Sequence, residues 1–336
     1  MRNIFHVNIS TLKETLERQQ IGIYFAAILL AVVVAFIVPG TEHLEVWANP
    51  ALALMLFVTF LQVPMTELRH AFTRGRFLAA LLLANFVAIP LFVGLLSLFF
   101  PASPMVQLGV LLVLLTPCID YVVTFSQLGR ADARLLLAAA PILLIVQIVL
   151  LPLYLRLFLG DAATGLVQLG PFLQAFLWLV AAPLVLAAAT QFWAARSRTG
   201  ARVSNGLGLL PVPATALVLF VVIAAVTPRV GEAIDAALRA LPLYIAFAVF
   251  APLIGWGIAS LFRLEPRAGR AVAFSASTRN SLVVLPLAFA VPGAIPLLPA
   301  VIVTQTFVEL LSELVYVRLL ARLGGRDSPS TVTQLS

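Results

Sequence analysis

The chain has 336 residues, of which 62% are hydrophobic and only 10% charged, with a formal net charge of +7. A soluble domain is about 45–50% apolar and about 25% charged, so a water-soluble globular protein is excluded and lipid is the implied solvent. The basic excess does not indicate nucleic acid, because the arginines fall in twos and threes between apolar runs and not along one face, and the single cysteine, Cys118, leaves no disulfide framework and no Cys-rich zinc site.

In chain order, residues 1–20 are polar and charged and lack the apolar core and cleavage site of a signal peptide. They are read as a cytoplasmic segment in which Thr11 to Gln20 forms a charged juxtamembrane helix. Ten apolar stretches follow, at 21–38, 48–64, 77–98, 105–128, 135–158, 168–191, 205–226, 241–262, 268–291 and 295–320. Stretches of this length cross the hydrocarbon core as helices, which makes the fold class an all-α membrane protein with ten transmembrane helices. Most of the 22 prolines and 19 glycines lie within or beside them, so bent or broken spans are expected, with neighbouring helices satisfying the freed backbone groups. The acidic Thr41–Glu45 stretch reads as a solvated outside loop, and 321–336 as a disordered cytoplasmic tail.

Basic residues set the orientation. With a cytoplasmic N-terminus, the inside segments hold 17 of the 21 basic residues, whereas the outside loops hold Arg156, Arg229 and Arg239, and Arg279 falls within a span. The positive-inside rule then places both termini in the cytoplasm, in a multi-pass protein of the cell (inner) membrane. Ten spans divide into two sets of five, 21–158 and 168–320. An odd number of crossings per set inverts one repeat relative to the other, as is common in secondary transporters.

The fourth and ninth spans correspond in such a repeat, and both carry polar residues in mid-span: Thr116-Pro117-Cys118-Ile119-Asp120 in one and Ser275-Ala276-Ser277-Thr278-Arg279-Asn280-Ser281 in the other. Pro117 removes an amide donor and clashes with the preceding turn, so the fourth helix is expected to break there; the ninth has no proline at its polar centre. Two half-helices meeting at the midplane would offer unpaired amides and carbonyls to a polar solute. Arg279 in mid-span costs roughly 2.5–3.5 kcal/mol, which calls for a partner, and Asp120 holds the matching position in the other half. Either a structural ion pair or a binding role, for an anion or as a tethered stand-in for a coupling cation, is compatible with that placement. In the last span Gln305, Glu309, Ser312, Glu313 and Tyr316 form one polar stripe expected to face protein; Glu309 and then Glu313 are candidate proton sites, against the alternative of a hydrogen-bonded seam. Asn85 and Gln147 read as interhelical hydrogen-bonding amides.

The run from Pro117 to Leu128 followed by Asp132 resembles the Pro-Cys motif of the arsenical-resistance permeases, a branch of the bile acid:sodium symporter superfamily. Gln62 to Leu68 and Ser277 to Leu287 also resemble that superfamily, and the likeness runs from about residue 20 to 320. It implies crossed, discontinuous fourth and ninth helices, a panel domain of spans 1, 2, 6 and 7, and a core domain of spans 3–5 and 8–10. It also implies a functional role for Cys118 as a soft contact to a metalloid. The chain departs from the family in having Ser281 where the arsenite branch has a glutamate, and Ser275 and Arg279 where sodium-coupled relatives have an acid and a glutamine. Hard sodium needs oxygen ligands, and a fixed guanidinium would repel it, so coupling to protons or potential is expected.

The resulting expectation is a secondary transporter exporting arsenite or a related metalloid oxyanion by alternating access, with an organic anion as the alternative cargo. Its candidate binding residues are Thr116, Cys118, Asp120, Ser277, Thr278, Arg279 and Asn280, and its candidate proton sites are Asp120, Glu309 and Glu313. No cofactor, metal site or nucleic-acid partner is expected, and the phosphate-loop, zinc-protease and nucleophile-elbow motifs that would suggest an enzyme do not occur.

Overall fold

The computed structural model describes residues 9–62, 74–101, 103–119, 121–160, 178, 181–289, 291, 293 and 296–325, and the regular elements among them are all helical. Helix α1 (Ile9–Ile37) has 29 residues, about 43 Å at 1.5 Å per residue, against a hydrocarbon core of about 30 Å. The surplus is the polar Thr11–Gln20 stretch, which continues the first span without a break. A 3₁₀ turn (Thr41–Leu44) leads into α2 (Glu45–Gln62). Of the segment Gln62 to Leu68, only Gln62 lies among the described residues.

Helices α3 (Gly75–Leu83) and α4 (Ile89–Ser97) form one span joined by a π-helical turn, Ala84–Ala88. Pro90 has no N–H to give the carbonyl of Phe86, and the wide turn relieves its clash with that carbonyl. The freed oxygen is taken by the Tyr154 hydroxyl at 2.5 Å. Next come α5 (Pro104–Leu114), α6 (Val122–Leu128) and α7 (Ala133–Leu159). On α7, Ile145, Val149, Leu153 and Leu157 are exposed at four-residue steps while Leu144, Leu151 and Leu155 are buried, which gives one lipid-facing and one protein-facing side.

The second half holds α8 (Ala182–Arg196), α9 (Arg198–Leu207), α10 (Pro211–Val226), α11 (Val230–Leu261), α12 (Pro266–Ser277), α13 (Ser281–Phe289) and α14 (Leu297–Leu319). Six helices among the described residues are long and apolar enough to cross a membrane, and α9 with α10 forms a further pair bent by 43°. Several expectations change here. The span expected at 205–226 starts at Pro211, because three residues, 208–210, separate α10 from the polar α9. Arg239 is on a helix and not in a loop: α11 begins eleven residues before the expected 241, and Arg239 lies 3.4 Å from Asp235 one turn earlier. Arg270, counted with a cytoplasmic loop, is inside α12 and fully buried, donating to the carbonyls of Arg130 (2.8 and 3.0 Å) and Leu323 (3.0 Å). Residues 161–177, which hold the start of the expected sixth span, lie outside the described residues, as do 326–336.

Contacts sort the helices into two groups. Helices α1, α2, α8 and α10 pack on one another, α9 packs on α8, and α11, α12, α14, α5, α7, α3 and α6 form the other group. Close approaches within the second group depend on missing side chains. A Cβ on Gly129 would lie 2.2 Å from the Phe274 ring, and one on Gly255 would lie 2.7 Å from Ala276.

Candidate functional site

The fourth span ends as a helix at Leu114 and resumes at Val122; the ninth ends at Ser277 and resumes at Ser281. The two gaps touch as an isolated antiparallel bridge between Pro117 and Arg279. Cys118 N–H donates to the carbonyl of Thr278 at 3.1 Å, and Asn280 N–H donates to that of Thr116 at 2.9 Å. Breaking two helices in lipid strands backbone donors and acceptors at several kcal/mol each, and here each break supplies the partners the other lacks. These amides were expected to face a solute; instead they bond to one another.

Arg279 is fully buried. Its guanidinium reaches back along α12 to the carbonyls of Ser275 (2.6 Å) and Ala276 (2.7 Å), across to that of Leu114 (3.4 Å), and to Asn85 Oδ1 (2.8 Å). Leu114, Ser275 and Ala276 are the last turns of two half-helices, so the guanidinium sits at two negative dipole ends at once. All of its hydrogen-bond acceptors among the described residues are uncharged oxygens, and it also stands over the Phe247 ring at 5.5 Å. Asp120, expected as its charge partner, lies outside the described residues. Asn85 is held in the π turn and also donates to Ser275 Oγ at 3.0 Å, so the irregularity made by Pro90 is what presents an amide to the crossover.

Helix α14 braces the ninth-span break from the other side. Gln305 accepts from Ser281 Oγ at 2.6 Å and donates to Glu309 at 2.5 Å; Glu309 accepts from Arg279 N–H at 2.6 Å; Glu313 accepts from Thr278 Oγ1 at 2.6 Å. The polar stripe therefore faces protein, with Gln305, Glu309, Glu313 and Tyr316 buried and Ser312 half-buried. Glu309 accepts at both oxygens, the second from the Tyr121 hydroxyl, whereas Glu313 Oε2 has no partner among the described residues. Gln147 is buried as expected of a packing amide, but its Oε1 has no partner among the described residues.

Thus Thr116, Pro117, Cys118, Ser277, Thr278, Arg279 and Asn280 converge, with Glu309 and Glu313 beside them. All of the named polar side chains and Cys118 are buried. Open space lies elsewhere, between the two helix groups. Two adjoining cavities share Lys13 and Glu17 of α1, Gln62 of α2 and Thr124 of α6: one of about 650 Å³ is also lined by Ser204 and Asn205 of α9 and Gln127 of α6, and one of about 70 Å³ is also lined by Gln20 and Tyr24 of α1, Thr59 of α2 and Thr215 of α10. The mouth continues past Asp132, Arg134 and Arg267. Tyr121 joins this vestibule to the crossover: it lines the inner cavity, and its hydroxyl meets Glu309 and, at 3.1 Å, the carbonyl of Arg279. The vestibule was missed because its polar residues come from five helices and look like ordinary span ends. The one legible trace was Lys13, Glu17, Gln20 and Tyr24 at steps of four, three and four, a single helical stripe.

Residues 49–234 match the family described as Sodium Bile acid symporter family. Among curated proteins, no sequence matches the chain.

Proposed function

The chain belongs to the sodium bile acid symporter family, whose members are membrane transporters, and from that premise we propose that it is a secondary active transporter of a small organic anion. It works by alternating access, with ten spans arranged as inverted repeats over 21–158 and 168–320. The group of α1, α2, α8 and α10 serves as panel and the other helices as core, and the chain sits in the cell (inner) membrane with both termini cytoplasmic. The observation that carries this reading is the polar vestibule between the two helix groups, which ends on Tyr121 at the crossover. A rocking motion between the groups would expose that space to either side.

Size and charge favour an organic anion. A trihydroxylated arsenic centre is comparable to three or four waters, about 100 Å³ at roughly 30 Å³ per water, whereas the larger of the two adjoining cavities is about 650 Å³, within the range of pockets for larger organic ligands. These cavities and their mouth are lined by Lys13, Arg134 and Arg267 against Glu17 and Asp132, an excess of positive charge that draws anions. Arg279 already supplies a cation at the half-helix ends, so sodium is not the coupling ion. Protons are, with Glu313 ahead of Glu309 as the exchanging group, because one oxygen of Glu313 is free to take a proton and both oxygens of Glu309 are engaged. Asp120 is retained as a partner of Arg279.

Arsenite export is the second reading. It is supported by the placement of Cys118 directly after the helix-breaking proline at the crossover. Proteoliposomes given labelled carboxylates or arsenite, under a pH gradient or an imposed potential, separate the two. Accumulation of a carboxylate beyond electrochemical equilibrium supports the first, and arsenite movement lost in Cys118→Ser supports the second. Movement of every solute only to equilibrium would overturn secondary active transport in favour of a passive pore.

A further inference from the structure

The first helix is longer than the hydrocarbon core is thick, and its surplus turns carry chemistry. Lys13, Glu17 and Gln20, with Tyr24 beyond them, form one stripe, and all four line the vestibule. Lys13 is the chain's only lysine among 21 basic residues. The others are arginines, used where a planar guanidinium grips backbone carbonyls, as Arg270 and Arg279 do. Lysine instead offers a compact, mobile charge. Lys13 Nζ lies 3.7 Å from Glu17 Oε1, with the side chains 43% and 41% exposed. A long, solvent-facing pair of this kind holds its partners weakly.

Gln20 differs. It is 4% exposed, yet its Nε2 has no hydrogen-bond partner among the described residues. A buried donor without an acceptor is costly, and this one belongs to a cavity-lining side chain. Seven residues separate it from Lys13, two helical turns or about 10 Å along the axis. The large cavity at Lys13 and the adjoining one of about 70 Å³ that reaches Gln20 therefore present two donors at two depths: a displaceable cation near the mouth and an unfilled amide farther in.

We propose that this stripe of α1 is the cargo-recognition strip. An elongated organic anion places its carboxylate on Lys13, displacing Glu17, and an oxygen about 10 Å away accepts from Gln20 Nε2. Glu17 is the internal competitor that occupies the lysine while the vestibule is empty. The inference rests on the organic-anion reading above and adds to it the shape of the anion and the residues that select it.

The single lysine makes the test direct. Full-length protein in lipid nanodiscs is treated with an amine-reactive reagent, and peptide mass spectrometry separates Lys13 from the N-terminal amine. The probes are ω-hydroxycarboxylates of about six to twelve carbons, spanning the two-turn separation, with the matching neutral diols and arsenite as controls. A hydroxycarboxylate of fitting length is expected to slow Lys13 modification about ten-fold, while diols and arsenite leave it unchanged. Glu17→Gln should tighten carboxylate binding. Lys13→Gln should lose it and Lys13→Arg retain it, as a charge requirement predicts and a helix-packing role does not. Gln20→Ala should weaken the hydroxycarboxylate roughly five- to ten-fold and leave the unsubstituted fatty acid of the same length unchanged. If organic anions are transported but no member of the series protects Lys13, and Lys13→Gln transports as the native protein does, the strip is wrong and the transport reading survives. If no organic anion moves at all, the broader reading fails first.

Discussion

The crossover and the vestibule stand one tyrosine apart and are built in opposite ways. At the crossover, Thr116, Cys118, Thr278, Arg279 and Asn280 are sealed from solvent; Cys118 and Asn280 bond to the backbone of Thr278 and Thr116, and Arg279 holds the carbonyls of Leu114, Ser275 and Ala276. In the vestibule, Lys13, Glu17, Thr124 and Gln127 line open space, and Gln20 Nε2 is left without an acceptor. Polar groups in a membrane can hold the fold together by satisfying each other, or they can wait for a solute. Burial alone does not say which, because Gln20 and Arg279 are both buried; Arg279 holds four oxygens through its two terminal nitrogens, with only Nε unpartnered among the described residues, whereas Gln20 Nε2 meets no acceptor beside an open cavity.

The contrast predicts that substitutions at the crossover change stability and those in the vestibule change affinity. The largest effect belongs to Arg279. Arg279→Ala strands the carbonyls of Ser275 and Ala276 and the Asn85 amide in a dry site, at about 1–3 kcal/mol for each unsatisfied group. Thermal unfolding in detergent should show a loss of at least about 3 kcal/mol; native-like stability would mean that the guanidinium holds nothing. Glu309→Leu comes next, because it removes the acceptor for Arg279 N–H, Gln305 and Tyr121. A loss of about 2–4 kcal/mol is expected from the same unfolding assay, with transport reduced because Tyr121 loses its anchor.

Asn85→Ala should cost about 1–3 kcal/mol by removing one oxygen from the guanidinium and one donor from Ser275. In the vestibule, Thr124→Ala should leave stability within about 0.5 kcal/mol while raising the KM for the transported anion. A Thr124 variant that unfolds and transports normally when folded would blur the distinction. The smallest effect is at Cys118, the only thiol, whose side chain is fully buried. A membrane-impermeant maleimide should leave it unmodified in the resting protein, and rapid labelling would show that the crossover opens to water.

Part of this was legible in the sequence. Pro117 announces the fourth-span break through its own missing N–H, and mid-span Arg279 announces a polar partner set through its cost in lipid. The ninth-span break carries no such mark. It is held by Ser281, Arg279 and Thr278 bonding to Gln305, Glu309 and Glu313 on α14, and those pairings span 24, 30 and 35 residues. Asn85 was readable as an interhelical amide, but its place at Arg279 depends on the π turn, Ala84–Ala88, that Pro90 imposes at the start of α4, and on α12 packing against that turn. The vestibule was hidden for a related reason: a cavity is what several helices leave unfilled, and no one segment encodes it.

The central claim is that the crossover carries its own positive charge and so requires no sodium. It is tested most directly by the initial rate of uptake of the accepted anion into proteoliposomes, with external Na⁺ replaced by choline at constant pH and potential. The account predicts an unchanged rate. A collapse of uptake on that replacement would contradict it.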